Sequence, residues 1–382
     1  MKTPWELLKE SKTKIKTTWR IAFVSALVLG LLIHLPVMLS DIPNHDGLGS
    51  MYFDQNMITS GRWFLTVACG FSSYFTIPWV IGLIGLIWLA LTAAVLTEVL
   101  ELKDPVTITV VSGLLVSFPA LASTFAYVFT MDGYMLALFL AVLAVLFTAK
   151  YPRGYLAGAV CLAFSMGIYQ AYLPFTILLC VYKILLFFME EKGWKEKAKY
   201  VCRYLGMGIA GGVLYYVILQ ILLKLQGKVL DTYQGINSME QMGSGLGILT
   251  TIRGMYVDFL AFTVHGNVLV NNIFSLAACI ILVATVVFLV IRSMIRRKWW
   301  KNPAFFVIMI LLGISMPLLT NVILLISPNL TYHLLMRYQW VLYLILMTAF
   351  ADRYTAEESC TDVALQWAAL CAAVVLVFNY GI

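Results

Sequence analysis

The chain alternates between long apolar runs and short polar stretches along most of its length. Eleven runs approach or exceed the roughly 20 apolar residues that a helix needs to cross a membrane. They lie at 21–40, 76–100, 105–123, 133–149, 154–168, 170–190, 205–223, 270–291, 303–326, 338–351 and 363–380. The pattern predicts an all-α fold: a polytopic α-helical integral membrane protein with about eleven transmembrane helices, within a range of ten to twelve.

Composition supports this class and excludes others. The 382 residues are 62% hydrophobic and only 12% charged, whereas a soluble domain carries about 25% charged residues. So little charge excludes a soluble enzyme, a nucleic-acid-binding protein, a disordered tail and a disulfide scaffold. The seven cysteines form no CxxC pair and mostly lie in apolar runs, where cysteine is usually a small buried hydrophobe.

The distribution of Lys and Arg predicts which side each loop faces. If the N-terminus is cytoplasmic and the runs alternate, 21 of the 26 Lys and Arg fall on the inside, as the positive-inside rule requires. Residues 1–20 are then a basic cytoplasmic segment, and residues 21–382 form a single membrane domain. Its outside loops are predicted at 41–75, 124–132, 224–269 and 327–338.

The first outside loop carries the densest polar chemistry. Asp41, Asn44, His45 and Asp46 follow the first apolar run directly, and Arg62 lies later in the same loop. Ionisable residues this close to a span indicate a functional site. The alternative is a solvated loop in which Asp and Asn only form a turn.

The second outside loop contributes one acid between two apolar runs. Asp132 is either a functional carboxylate or a cap for the helix that follows it. Tyr134, Tyr169 and Gln170 lie near the predicted outer ends of spans. Such tyrosines either pack on sugar rings or belong to the ordinary aromatic belt of a membrane protein.

Two further cations lie on the predicted outside. Arg253 belongs to the long loop that also contains a flexible stretch, Gly235–Gly247, a candidate mobile lid. Arg337 precedes Tyr338 and the tenth apolar run. The planar guanidinium group suits a phosphate, although Arg337 could also be an interfacial anchor.

Four motifs together resemble one known family. DIPNHDG at 41–47, SGRW at 60–63, FTMDGY at 129–134 and RY at 337–338 are similar to the bacterial Gtr-type II glucosyltransferase family, which is GT-C-like. The resemblance implies a membrane glycosyltransferase that moves glucose, or another hexose, from undecaprenyl phosphate to a cell-envelope glycan such as O-antigen. Transfer would occur on the outer face of the bacterial cytoplasmic membrane and invert the anomeric configuration. The chain ends directly after its last apolar run, so a fragment and a short family member are both open.

The resemblance also implies roles for the candidate residues. Asp46, or else Asp41, would be the general base, and Asp132 would support the base or hold the acceptor. The expected substrate-binding residues are Asn44, His45, Arg62, Arg253, Arg337, Tyr134, Tyr169 and Gln170. No cofactor or metal is required, although the three aspartates could hold a divalent cation. The expected partners are the lipid bilayer, a donor-lipid synthase and a small flippase, and no nucleic acid.

Two other functions stay open. A transporter or flippase of lipid-linked sugar would need polar residues near the bilayer midplane, and few of the apolar runs contain any. A non-catalytic membrane subunit of an envelope assembly would be unaffected by the loss of the Asp46 carboxylate.

Overall fold

The apolar runs fold as helices because a backbone in lipid must satisfy its own hydrogen bonds. The computed structural model describes residues 2–40, 56–70, 77–190, 192–231, 245–296, 298, 303–327, 331–355 and 360–382. The described residues are 84% helical and contain no strand beyond one isolated bridge between Met57 and Arg62. The predicted all-α membrane fold is confirmed.

Sixteen α-helices follow one another along the described chain. They are α1 (Pro4–Lys14), α2 (Thr17–Leu39), α3 (Leu65–Ala68), α4 (Pro78–Leu100), α5 (Pro105–Ser117), α6 (Pro119–Phe125), α7 (Met131–Lys150), α8 (Gly154–Ile168), α9 (Leu173–Phe188), α10 (Trp194–Gln226), α11 (Gly245–Val264), α12 (Ile273–Arg296), α13 (Pro303–Thr320), α14 (Ile323–Ile326), α15 (Val341–Tyr354) and α16 (Cys360–Gly381). Short 3-10 segments lie at Ile58–Ser60, Val128–Thr130, Gln170–Tyr172 and Leu334–Trp340.

Each of the eleven predicted apolar runs coincides with helix. Within the described ranges, nine helical segments are long and apolar enough to cross a membrane, and a tenth is the pair α5 and α6. That pair bends by 49° because Pro119 has no N–H to continue the helix beyond Phe118. One of the nine is α11, which lies in the predicted loop 224–269. The apolar helices α8, with 15 residues, and α13 fall short of a full span, so the count of eleven stays a prediction.

The central helices are α4, α7, α9 and α15. More than half of each apolar window is buried inside the protein, whereas α2, α10, α12 and α16 bury less than a third. The outer helices therefore expose apolar side chains, as a lipid-facing surface requires. The inner helices form the core that positions the site.

One end of the bundle is held by ion pairs, and we call it the basic end. Its carboxylates are contacted by cations from several helices: Lys16 and Lys150 at 2.7 and 2.8 Å from Glu98, and Lys183 and Arg353 at 2.6 and 2.8 Å from Glu101. Arg292 pairs with Asp362 in the same way. These contacts join the beginning of α2 and α16 to the ends of α4, α7, α9, α12 and α15.

The opposite end, which we call the aromatic end, carries the 3-10 segments that precede α7, α9 and α15. Tyr134 and Tyr169 stack there at 4.1 Å between ring centroids, and Tyr172 meets Tyr338 edge to face at 6.3 Å. Three spans therefore begin in one aromatic layer at the aromatic end.

Helix α11 is an element that sequence analysis missed, since its residues fall in the predicted loop 224–269. The chain before it contacts the first loop through a hydrogen bond from the Asp231 N–H to the Thr59 carbonyl, 2.9 Å. The chain after it is fixed where Asn272 hydrogen-bonds Asn379 at the end of α16. The described residues on either side of this segment, Asp231 and Asn272, therefore both lie at the aromatic end.

Candidate active site

The first-loop acids are not among the described residues. Asp41, Asn44, His45 and Asp46 all lie between the end of α2 and Asn56, where the described chain resumes. Their predicted roles as base and sugar ligands stay predictions. Both ends of this stretch are at the aromatic end, since α2 begins at the basic end.

Arg62 is held by two stacked tyrosines from different spans. Its Nη1 donates a hydrogen bond to the Tyr134 hydroxyl at 3.1 Å, and its guanidinium carbon lies 5.0 Å from the centre of the Tyr169 ring. An aromatic face attracts a cation at this distance. The structure therefore brings three of the predicted substrate-binding residues into one group, which we call the Arg62 cluster.

The backbone turn that precedes Arg62 is held by the side chains of Gln170 and Tyr215, which we call the clamp. The Gln170 amide nitrogen donates to the Ser60 carbonyl at 3.2 Å and to the Tyr215 hydroxyl at 3.0 Å. The Tyr215 hydroxyl donates to the Gly61 carbonyl at 3.0 Å. Gly61 has a φ of +77°, a left-handed conformation that glycine adopts readily.

The clamp gives Gln170 a positioning role that sequence analysis did not foresee. Tyr215, on α10, is absent from the predicted site altogether. No pattern in the sequence distinguishes it from the other tyrosines in the apolar runs.

Asp132 is a buried carboxylate in the first turn of α7. Only 2% of the residue is exposed, and its Oδ1 accepts a hydrogen bond from the Gly133 N–H at 2.9 Å. The partial positive charge of a helix N-terminus favours a carboxylate there. Because Tyr134 is two residues further along the same turn, one helix start supplies both this acid and a partner of Arg62.

Arg337 is buried in a second polar group, which we call the Arg337 cluster. Its two Nη atoms each donate to a carboxylate oxygen of Asp258 at 2.7 Å. The guanidinium carbon lies 3.9 Å from the centre of the Tyr332 ring and 4.7 Å from that of Phe262. Burial raises the pKa of the Tyr332 hydroxyl well above its ordinary value, so that this group stays neutral.

Burial distinguishes Arg337 from an exposed interfacial anchor, since only 9% of the residue is exposed. Its partner Asp258 lies on α11 and was missed by sequence analysis. The available signal was a lone acid in an otherwise apolar stretch, which in a membrane helix calls for a partner. Arg253, by contrast, is exposed on α11.

The two clusters share one aromatic layer. Tyr169 of the Arg62 cluster meets Tyr172 edge to face at 5.4 Å, and Tyr172 meets Tyr338 at 6.3 Å. Tyr338 follows Arg337 directly in the chain. Cations that are far apart in the sequence therefore line the same end of the bundle.

Metal binding is not decided by these residues. In the described parts of the chain, no group of three or more His, Cys, Asp or Glu side chains could hold a metal ion. Asp41 and Asp46 lie outside those parts, so the expectation that no metal is needed stays a prediction.

Comparison with known proteins identifies the family. A family model described as "Glucosyl transferase GtrII" matches residues 35–351, which include the described site residues and the first loop. No curated protein and no solved structure matches the chain. Its long apolar helices are those of a multi-pass membrane protein. The chain belongs to the GtrII family of glucosyl transferases, and this membership implies a glucosyltransferase that has a sugar donor and a cell-envelope glycan acceptor.

Proposed function

We propose that the protein transfers glucose from a polyprenyl-phosphate sugar to an envelope glycan at the aromatic end of the bundle. That end would face the outside of the cytoplasmic membrane. The observation that carries the proposal is the Arg62 cluster together with Asp132: Tyr134, which binds Arg62, and the buried Asp132 carboxylate both lie in the first turn of α7. The concentration of cations at the basic end supports the orientation, because basic residues favour the cytoplasmic side.

The reaction is a single displacement. An acceptor hydroxyl oxygen forms a bond to the anomeric carbon of the donor while the bond from that carbon to the phosphate oxygen breaks. The hydroxyl proton goes to a carboxylate, and polyprenyl phosphate leaves. One displacement at the anomeric carbon inverts its configuration.

A first-loop aspartate is the proposed base. Asp46, or else Asp41, belongs to the stretch that joins α2 to the Arg62 turn, and a positioned base of this kind contributes about 10²–10⁴-fold. Asn44 and His45 would orient the base or bind sugar hydroxyls. Asp132 would hold the acceptor or support the base.

Arg62 is the first candidate for the phosphate. Fixed cations stabilise the charge that develops on a leaving phosphate, and Arg62 lies in the same predicted loop as the proposed base. Arg337 is second, because its two Nη atoms already bind Asp258 and would have to exchange that partner for the phosphate. The reaction as written needs no cofactor, and a donor-lipid synthase and a flippase would supply the donor.

A transfer assay tests this proposal. Purified protein in nanodiscs receives polyprenyl-phosphate glucose with a radiolabelled sugar and an envelope glycan, and label in the glycan is measured. Wild type is compared with Asp46→Asn, Asp41→Asn and Asp132→Asn. The matched control is Glu196→Gln, which neutralises an exposed acid near the basic end.

We expect one first-loop variant to lose at least about 100-fold in rate and the control to keep the wild-type rate. Equal rates in all three aspartate variants would contradict the assignment of the base. Absence of transfer by wild type would contradict the proposed donor.

A further inference from the structure

A cavity lined by methionines lies between α9, α12, α13 and α15. Its volume is about 550 Å³, and its walls include Met189, Met294, Met309, Met316 and Met347. The other lining side chains are aliphatic or aromatic. Methionine is flexible and polarisable, so a surface rich in it can adapt to an irregular apolar ligand.

The cavity is elongated along the helices. On α13 the lining residues run from Phe306 to Met316, and on α15 they run from Leu342 to Phe350. Ten residues of helix cover about 15 Å, so the cavity extends over about half the thickness of a bilayer core. This shape fits a chain that lies parallel to the helices.

The end of the cavity that is nearer the aromatic end is in contact with polar groups. Tyr343 lines the cavity, and its hydroxyl forms a hydrogen bond with the Thr320 hydroxyl. The Gln339 amide nitrogen donates to the Thr320 carbonyl at 3.0 Å and to the Tyr332 hydroxyl at 2.7 Å. Tyr332 in turn lies under the Arg337 guanidinium. A continuous series of polar contacts therefore connects the cavity with the Arg337 cluster.

We propose that the methionine-lined cavity seats the isoprenoid chain of the lipid donor, with the phosphate end at the aromatic end. This inference rests on the proposed function, since it specifies where that donor binds. A volume of about 550 Å³ suits one ligand chain, whereas an ordinary bilayer phospholipid carries two. Ile310 lines the cavity and is 59% exposed, which gives the chain a route in from the lipid.

One pair of substitutions on α13 separates the cavity from the lipid-facing surface. Met309 lines the cavity, and Met309→Trp would fill part of it. Leu311 is 60% exposed and lies outside the lining, so Leu311→Trp adds the same side chain to the opposite environment. Thermal unfolding of both variants in detergent shows whether they fold.

Binding of radiolabelled polyprenyl phosphate without sugar is measured in phosphatidylcholine nanodiscs, with a long-chain and a short-chain probe. We expect Met309→Trp to weaken binding of the long-chain probe about tenfold, the loss expected when about two buried methylene groups lose their contacts. Binding of the short-chain probe should be unchanged, and Leu311→Trp should match wild type with both probes. A photoreactive group on the isoprenoid chain should label peptides of α9 and α13 in wild type.

Other results overturn the seat. Equal long-chain affinity in Met309→Trp and Leu311→Trp would do so. Labelling confined to helices other than α9, α12, α13 and α15, which line the cavity, or equal competition by a phospholipid would also do so. The outcomes also separate the two proposals. Chain-length-dependent binding without glucose transfer supports the seat and refutes the proposed function, whereas transfer without the chain-length effect refutes the seat alone.

Discussion

Replacement of Gly61 by alanine tests whether the clamp around the Arg62 turn is as tight as the structure indicates. Gly61 has a φ of +77°, and a Cβ added there would lie 2.5 Å from the Tyr215 hydroxyl oxygen and 2.6 Å from the Gln170 amide nitrogen. Both distances are shorter than van der Waals contact allows. Either the two side chains move or the turn changes.

The expected cost follows from these contacts. An L-residue in the left-handed region costs about 1–2 kcal/mol, and each of the clamp's three hydrogen bonds contributes about 1 kcal/mol. Alanine restricts the unfolded chain and recovers about 0.4–1 kcal/mol. If all three hydrogen bonds are lost, we therefore expect Gly61→Ala to lower the free energy of unfolding by about 3–4.5 kcal/mol.

Thermal unfolding in detergent measures this change, with Gly208→Ala as the matched control. Gly208 lies inside α10, and no described atom comes within 4 Å of a Cβ added there. Alanine at such a helical position stabilises by about 0.5–1 kcal/mol. Because Gly61 precedes Arg62, the Gly61→Ala variant should also lose glucose transfer. Equal stability of the two variants would refute the clamp.

Two further predictions concern ion pairs. Arg337→Ala leaves the Asp258 carboxylate without its bidentate partner. We therefore expect a loss of about 3 kcal/mol in the free energy of unfolding, measured by thermal unfolding. A variant as stable as wild type would contradict a stabilising role of the pair. At the basic end, partial burial opposes ionisation of Glu101, but hydrogen bonds from Lys183 and Arg353 outweigh it and lower the pKa of Glu101 below its ordinary value. The stabilisation by the Glu101 ion pairs should be complete above pH 4.5, the ordinary pKa of a glutamate. It should be lost as the pH falls through the lowered pKa of Glu101 in the folded protein. The difference in unfolding temperature between wild type and Glu101→Gln should therefore vanish in acid, and a constant difference would contradict this.

Sequence periodicity was sufficient to predict most of the helices and to place several candidate site residues at one end of the bundle. Asp132, Tyr134 and Tyr169 lie at one end of the bundle because the spans alternate in direction, and alternation can be counted from the apolar runs. The same reasoning brought Arg62 and Arg337 to that end.

The features that sequence analysis did not predict depend on contacts between residues far apart in the chain. Arg337 and Asp258 are 79 residues apart, and Tyr215 and Gly61 are 154 apart, so no local pattern connects them. Helix α11 was overlooked because Arg253 and Asp258 interrupt its apolar character, and the pairing of Asp258 with Arg337 cannot be read from the local sequence.

The proposed function depends most on the identity of the donor, and a comparison of two labelled donors tests it most directly. Purified wild-type protein in nanodiscs receives an envelope glycan and either polyprenyl-phosphate glucose or a nucleotide-linked glucose, each with a radiolabelled sugar. We expect label in the glycan from the lipid donor and none from the nucleotide donor. Transfer from the nucleotide donor, with none from the lipid donor, would contradict a lipid-phosphate site at the aromatic end.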